Sequence, residues 1–506
     1  MKRKSEAELS TRPAKRQRNG TQIHLFDLSD ELLLRTLSFL RIESLIRCER
    51  VCQKLGKLSR DNLIWRERYF AHFVIQSTRR LPYLKPATLR EYATPILHRS
   101  SRYTQWIAHS PLVHAGSDTN WKQVFKVQYN WHRGRARTFE MQVGSTPTPV
   151  VLAKVYRGCL FTADQEHGLR TWKDGIETCK HVLSRRSDPS ALDIECEGGL
   201  TRVSLGHIDG FVEIYTIDAL GGIHLSADAS FGGSPITSVA LAWPYLMTMD
   251  KSNSIALFKS CCSSNDDDAH LAPAALSLRR TPTTLMAGIA YAFNRFRSGW
   301  CLGLQEIRMD LAGSVLKNRT TSSVTTPLRQ SFNDQPQFTS RSASTSPFGL
   351  HPQLMRAPNS LSYSGCYILA TLPDNTLMVY TVTSTAEKLE INVGRRLWGH
   401  TSAVSAAEVT STGKAVSIST NSEEMRYWEL EEILSSSSQG KTSTAIKSSH
   451  MLNDAINKRG SGLGLAIKEV QREMDFVRRG ISFDDEQAVV VGQRDQGQFI
   501  SCFNFA

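Results

Sequence analysis

The stretch LWGHTSAVSAAEVTSTGKAVSISTNSEEMRYWEL, residues 397–430, carries the pattern through which the rest of the chain can be read. A short run, AVSIS, leads into a polar turn at Asn421, and the next segment closes on Trp428. Four earlier stretches share this design: FTADQEHGLRTW, GHIDGFVEIY, MDKSNSIALF and PDNTLMVY, which close at Trp172, Tyr215, Phe258 and Tyr380. Each places an Asp or Asn turn residue before an alternating strand that ends in an aromatic. Several intervals between these aromatics are about 43 to 48 residues, the spacing of a repeated β unit. One such unit cannot bury its sheet alone, so neighbouring units must cover it and a ring is the natural solution.

Gly399-His400, the run at Ser417 and Ser419, the turn at Asn421 and the closing Trp428-Glu429 resemble the WD40 repeat, with Asn and Glu in place of the usual Asp residues. The resemblance implies that His400, Ser417, Asn421 and Trp428 are blade-structural residues that hydrogen-bond across one blade. A buried polar cluster needs mutual partners, so His400 is structural rather than catalytic. The expected architecture for residues 150–506 is an all-β WD40-like propeller of about seven blades. One divergent blade between Phe258 and Tyr380 uses TLMAGIAYAFNRFRSGWCLGLQEIRM. Ser- and Thr-rich insertions near 312–360 and 435–450 are expected to be disordered and open to phosphorylation. A helix is predicted in LGLAIKEVQREMDFVRR, residues 463–479, and the strands of ISFDDEQAVVVGQRDQGQFISCFNF close the ring.

Ahead of the propeller the period changes. In DLSDELLLRTLSFL, residues 27–40, Phe39, Leu32, Leu40, Leu33 and Leu37 spread over a helical arc of roughly 160°, wider than a surface helix ordinarily buries. Ser29 stands where a helix cap is wanted, with Asp30 and Glu31 in the first turn. IESLIRCERVCQKLGKLSRDNLIW follows, with apolar residues at helical spacings broken at Gly56. Some 45 residues of helix bury little of their own surface, so the surplus leucines need a partner. The order of Leu pair, Val-Cys and terminal Leu-x-Trp resembles the F-box, the helical module that docks a ubiquitin-ligase substrate receptor on a Skp-type adaptor. Leu28-Ser29 replaces the family's usual Leu-Pro. The resemblance assigns residues 23–72 to an all-α F-box. It implies that Leu28, Leu32, Leu33, Leu45, Ile46, Val51, Cys52, Leu55 and Trp65 form the adaptor face or its direct support. Residues 73–149 are expected to be a helical linker.

Composition excludes several alternatives. The 61 Lys and Arg against 48 Asp and Glu give +13, compatible with acidic partners without demanding them. Ten cysteines are too sparse for a disulfide scaffold, and no CxxC is present, which fits a reducing compartment. No apolar run reaches the roughly 18 residues of a membrane helix, and no signal-peptide core is evident. The expectation is a soluble intracellular protein with no membrane partner. Lys2, Arg3 and Lys4, then Lys15, Arg16 and Arg18, lie in a disordered basic tail, residues 1–22, that resembles a bipartite nuclear localisation signal. Its partner would be an import receptor, and the expected location is nucleus and cytoplasm. GSGLG at 460–464 lacks a βαβ context, and Asp266–Asp268 lacks the alternating ligands of a calcium loop. No nucleophile elbow, HExxH or cofactor site is found, so neither an enzyme nor a cofactor is expected.

Together these readings predict a non-catalytic substrate receptor of an SCF-type ligase. An adaptor links it to cullin and RING subunits, and the propeller binds a protein client carrying phosphorylated or acidic motifs. The alternative is a nuclear propeller scaffold for proteins or RNA, in which the amino-terminal helices serve only internal packing.

Overall fold

The structure is a computed structural model. It describes residues 25–74, 119–145, 151–323, 357–419, 425–435, 443–448 and 477–506, less 198, 219–220, 253, 260–261, 267–273, 282, 296–298, 386, 393 and 495–496.

Four short helices come first: α1 (Asp30–Ser38), α2 (Ile42–Cys48), α3 (Gln53–Leu58) and α4 (Asn62–Tyr69), the last prolonged by a wider turn, Phe70–Val74. Asp61 caps α4 by accepting from Leu63 N at 2.8 Å, and Cys52 Sγ accepts from Leu55 N at 3.5 Å at the start of α3. Ser29 has the extended backbone of a cap, but its hydroxyl makes no capping bond. The start of α1 rests instead on the Ser29 carbonyl, which accepts from Leu33 N at 3.1 Å, and on the acidic first turn.

A longer helix, α5 (Trp121–Arg133), joins this module to the rest. Asn120 caps its start through Gln123 N, and Gly134 ends it in the left-handed region at φ 63°. A Cβ at Gly134 would lie 2.2 Å from the Ala445 carbonyl oxygen, so both backbone angle and space require glycine there. The chain then enters a strand, Arg135–Gly144, where a helical linker to residue 149 is the expectation from sequence. Its partner, Gly497–Asn504, lies at the far end of the chain, a pairing that local periodicity does not encode.

Seven antiparallel blades form the ring. Six span residues 152–181, 189–230, 236–266, 274–322, 360–397 and 404–448. The seventh takes Val477–Phe483, Gln487–Arg494 and Gly497–Asn504 from the carboxyl end and its outermost strand, Arg135–Gly144, from ahead of the first blade. Innermost strands touch one another in cyclic order, the last meeting the first. All five closing aromatics, Trp172, Tyr215, Phe258, Tyr380 and Trp428, lie on the third strand of their blades. The divergent blade is the fourth, whose central strands Thr284–Arg295 and Gly299–Asp310 run to 12 residues each.

Two expected insertions are narrower than the sequence suggests. Val315–Ser322 and Thr444–Ser448 are outer strands of blades four and six, paired to neighbours despite their polar composition. Val477–Arg479 at the end of the predicted helix are likewise strand, because they pair with Gln487–Arg494. The remainder of that helix, the remainder of the insertions and the basic tail lie outside the described residues.

Hydrogen bonds tie innermost strands to their neighbours. Lys154 Nζ reaches Asp193 Oδ1 at 2.6 Å, and Asp193 Oδ2 accepts from Leu241 N at 2.7 Å. Ser362 Oγ accepts from Val409 N at 3.0 Å, Glu408 Oε2 from Phe483 N at 3.0 Å, and Ser482 Oγ from Val155 N at 3.1 Å. Among the described residues, five of the seven blade junctions are bridged in this way. On the rim, α5 inserts Val127 and Trp131 among Tyr427, Phe483 and Phe505. The Trp131 ring stacks on Phe505 at 3.5 Å between centroids, and its Nε1 donates to the Asp485 carbonyl at 2.8 Å. Trp131→Ala is expected to lower unfolding stability by about 3 to 5 kcal/mol, through the cavity and the orphaned carbonyl. Urea titration of the intact chain checks this, and a loss below about 1 kcal/mol would mean that stacking does not seat the helix.

Candidate functional site

The helical module divides the predicted adaptor residues into two groups. Leu33, Leu45, Leu55 and Trp65 form its interior, joined by Leu37, Leu58, Ile64 and Tyr69. Trp65 also donates from Nε1 to the Ser59 carbonyl at 2.8 Å, which fixes the turn between α3 and α4. Leu28 and Cys52 are half-buried against the same cluster. By contrast, Leu32, Ile46 and Val51 are 54%, 41% and 67% exposed. Four further apolar side chains share that exposure and were not in the predicted set: Leu25, Phe26, Phe39 and Leu63. Phe39 falls within the wide helical arc, yet α1 ends at Ser38 and leaves its ring outside the core, beneath the Arg35 guanidinium at 4.9 Å.

Another part of the module is covered by α5. Trp65, Tyr69 and Phe73 meet Phe125 and Trp121 at ring distances of 5.3 to 5.6 Å. Lys122 Nζ pairs with Glu49 at 2.5 Å, and Asn62 Oδ1 accepts from Trp121 N at 3.2 Å. One face of α5 thus packs on the helices through Val124 and Phe125, and another packs on the propeller through Val127 and Trp131. Asn130 adds a bond from Nδ2 to the Phe505 carbonyl at 2.8 Å. At the seam, burial, with the charges of Lys414 and His72, holds the His132 imidazole down at about 4 and therefore neutral at physiological pH. Burial pushes the Glu429 carboxyl up, against the pull of Lys414 and the Tyr427 hydroxyl that donates to it at 2.5 Å.

Within blade six, His400 Nε2 lies 2.6 Å from Ser417 Oγ, and Trp428 Nε1 donates to the same oxygen at 2.8 Å. All three are buried, which brings the predicted blade residues together as one clasp. Asn421 lies outside the described residues. A parallel clasp joins strands two and three of blade one, where Trp172 Nε1 donates to Thr162 Oγ1 at 2.9 Å. The geometry matches because each indole lies two residues beyond the register partner of its acceptor: Arg170 opposite Thr162, Arg426 opposite Ser417.

The family model described as the F-box protein pof12 beta-propeller matches residues 136–506, and the F-box-like model matches residues 27–71. The chain belongs to the pof12-type F-box propeller family. It is 37% identical over 68 residues to F-box protein pof12 of Schizosaccharomyces pombe, covering 13% of this chain and 16% of that protein. It is 29% identical over 153 residues to an F-box protein of Saccharomyces cerevisiae, covering 29% of this chain and 22% of that one. Each match therefore spans less than a quarter of the relative's own length. The crystal structure of the Myceliophteria thermophila Cps50 (Swd1) beta-propeller domain superposes on 73% of this chain and 99% of its own with 10% identity and a TM-score of 0.41, too loosely to bear on fold or function.

This F-box propeller carries one polar set that its repeat pattern does not announce. In blade two, His207 Nε2 approaches Glu213 Oε2 at 3.1 Å, and the Tyr215 hydroxyl donates to the same oxygen at 2.9 Å. Burial pushes the Glu213 carboxyl up, but the bonds from His207 and Tyr215 outweigh it and hold the group below its ordinary value. Burial, with the neighbouring carboxylate, pushes the Tyr215 hydroxyl up to about 12. The GHIDGFVEIY run held the signal, since His207, Glu213 and Tyr215 flank one tight turn, but only the closing aromatic was legible as a repeat. Among the described residues, no His, Cys, Asp or Glu group is arranged to hold a metal, and no helix is long and apolar enough to cross a membrane.

Ser417→Ala leaves the buried His400 and Trp428 nitrogens without their shared oxygen. An expected loss of about 1 to 3 kcal/mol follows in chemical denaturation of the F-box propeller. A change under about 0.5 kcal/mol, the level of a neutral surface substitution, would refute a structural role for the clasp.

Proposed function

We propose that this protein is the client-binding subunit of an SCF-type ubiquitin ligase, with the exposed apolar residues of its helical module as the adaptor-docking surface. The observation that carries the proposal is the division within the module. Its interior is filled by Leu33, Leu45, Leu55 and Trp65, part of its surface is covered by α5, and among the described residues seven large apolar side chains still remain in solvent. Fully burying one such side chain stabilises by about 1.5 to 3 kcal/mol, so a partner surface has much to gain here. Membership of an F-box family supports a Skp-type adaptor as that partner and, through it, cullin and RING subunits.

The client belongs on the opposite side of the ring. α5 meets the side holding the turn at Asp485, between the first two strands of blade seven. Turns between second and third strands project from the other end of each blade, as at residues 165–167 and 208–210. Val182, Ile208 and Trp398 are exposed on that end, at 75%, 47% and 65%, and Trp is enriched where binding energy concentrates. The protein itself performs no chemistry in this scheme; it raises the rate of ubiquitin transfer by holding client lysines near the conjugating enzyme. The two basic clusters of residues 1–22 support nuclear entry alongside a cytoplasmic pool.

Calorimetry with a Skp-type adaptor tests the docking surface. Leu32→Asp combined with Val51→Asp, both exposed and so compatible with folding, should weaken binding at least a hundredfold, about 3 kcal/mol. Failure of the unaltered protein to bind would sink the proposal and leave the propeller scaffold as the better account. For the address, residues 1–22 fused to a cytoplasmic reporter should move it into the nucleus; a reporter that stays outside removes the import signal from the scheme.

A further inference from the structure

The solvent face of α5 and the strand that follows it carry four cations, Lys126, Arg133, Arg135 and Arg137, all exposed. Lys126 and Arg133 are seven residues apart on the helix, so they lie on one side, about 10 Å from each other along the axis. Arg135 and Arg137 then alternate with buried Ala136 and share one face of the strand. Followed along the chain from Lys126 to Arg137, helix and strand rises add up to at most roughly 25 Å. None of the four makes an ion pair with a described carboxylate, whereas Lys122 on the same helix is paired with Glu49, and Arg185, Arg280 and Arg396 elsewhere on the surface are paired with Asp209, Glu197 and Asp374. The field of the stripe is felt nearby: burial, then the Arg133 charge, pushes the His72 imidazole down.

We propose that this stripe docks an acidic polypeptide segment, a run of Asp and Glu side chains on another protein, against the edge of the ring beside the helical module. A strip of cations without described carboxylate partners offers its whole charge to an extended acidic chain laid along it, and attraction between opposite charges also speeds encounter. Nucleic acid fits less well. Base recognition on an open surface draws on exposed aromatic rings between the cations, and the one aromatic within the stripe, Tyr129, is half-buried and already covered by the Arg133 guanidinium at 5.3 Å. Neither the adaptor-docking residues nor the client-facing turns take part, so this surface stands apart from the proposed ligase role.

Fluorescence anisotropy with a labelled polyglutamate peptide of about eight residues, long enough to span roughly 25 Å when extended, tests the inference on the full chain. The variant carrying Lys126→Ser, Arg133→Ser, Arg135→Ser and Arg137→Ser should bind at least tenfold more weakly at low salt, and the difference should shrink as the salt approaches about 0.5 M. The amino-terminal basic clusters are the same in both proteins and cancel from the comparison. Should the fourfold variant melt early, the two pairs, Lys126→Ser with Arg133→Ser and Arg135→Ser with Arg137→Ser, replace it, each expected to lose about threefold with unchanged melting. Equal peptide affinity in variant and parent overturns the proposal. So does a single-stranded oligonucleotide of equal charge that outcompetes the peptide on the parent and not on the variant, which would make the stripe a nucleic-acid surface.

Discussion

Closure of the ring by Arg135–Gly144 constrains every other part of the molecule. Seven blades in sequence leave two raw ends, and each blade buries its sheet only against a neighbour. Here the missing outer strand of blade seven comes from the segment just ahead of blade one, paired along Gly497–Asn504 from Arg137 to Gly144. Both ends of the propeller are therefore held in a single sheet, and neither can peel away without breaking that ladder. The same strand follows α5 after a single residue, Gly134, whose backbone has room for no side chain. Whatever fixes the strand also fixes the helix. The orientation of the helical module on the ring is consequently tied to propeller closure through α5.

Apolar packing between blades does not by itself specify which strands face which. Side-chain bonds between innermost strands add that specificity, since a slip of one residue would turn Asp193, Glu408 or Ser482 away from the backbone N–H it serves. The cost is desolvation of charged groups near the axis, visible in the way burial pushes the Glu408 carboxyl up against the opposing pull of Lys154. Removing one member of such a network leaves its partner buried and unpaired, so these contacts work as a group. Serine and threonine do the corresponding job inside blades one and six, where Thr162 and Ser417 hold the closing indoles.

Much of this architecture was legible because it is local. A turn residue followed by an alternating strand and a closing aromatic marks the third strand of five blades, and Leu-rich helical spacing marks the helical module. The strand Arg135–Gly144 was not legible: NWKQVFKVQYNWHRGRAR has a strong helical period up to Arg133, and the partner that makes the next residues a strand lies more than 350 positions away. Polar strands such as Val315–Ser322 read as loop for the same reason, since their pairing and not their composition makes them strands. In the helical module, spacing showed that leucines exceed what one face can bury but not which of them lose the competition. Leu45 turns fully inward while its neighbour Ile46 stays in solvent, a division that depends on where α2, α3 and α4 cross.

The seam between the helical module and the ring is where these constraints meet. A pivot there would relieve the Glu429 carboxyl, which burial pushes up, but would have to uncover packed aromatic surface to do so. Trp131 and Phe505 are stacked and buried, and His132 is kept neutral by burial and by the cations around it. Opening the seam would expose aromatic surface and break the bonds from Asn130 and Trp131 to backbone carbonyls. A stiff joint of this kind fixes how far the helical module sits from the ring, a distance set by the piece between them. In this chain that piece is α5, 13 residues long, held on one face by Trp65 and Phe73 and on another by Phe505.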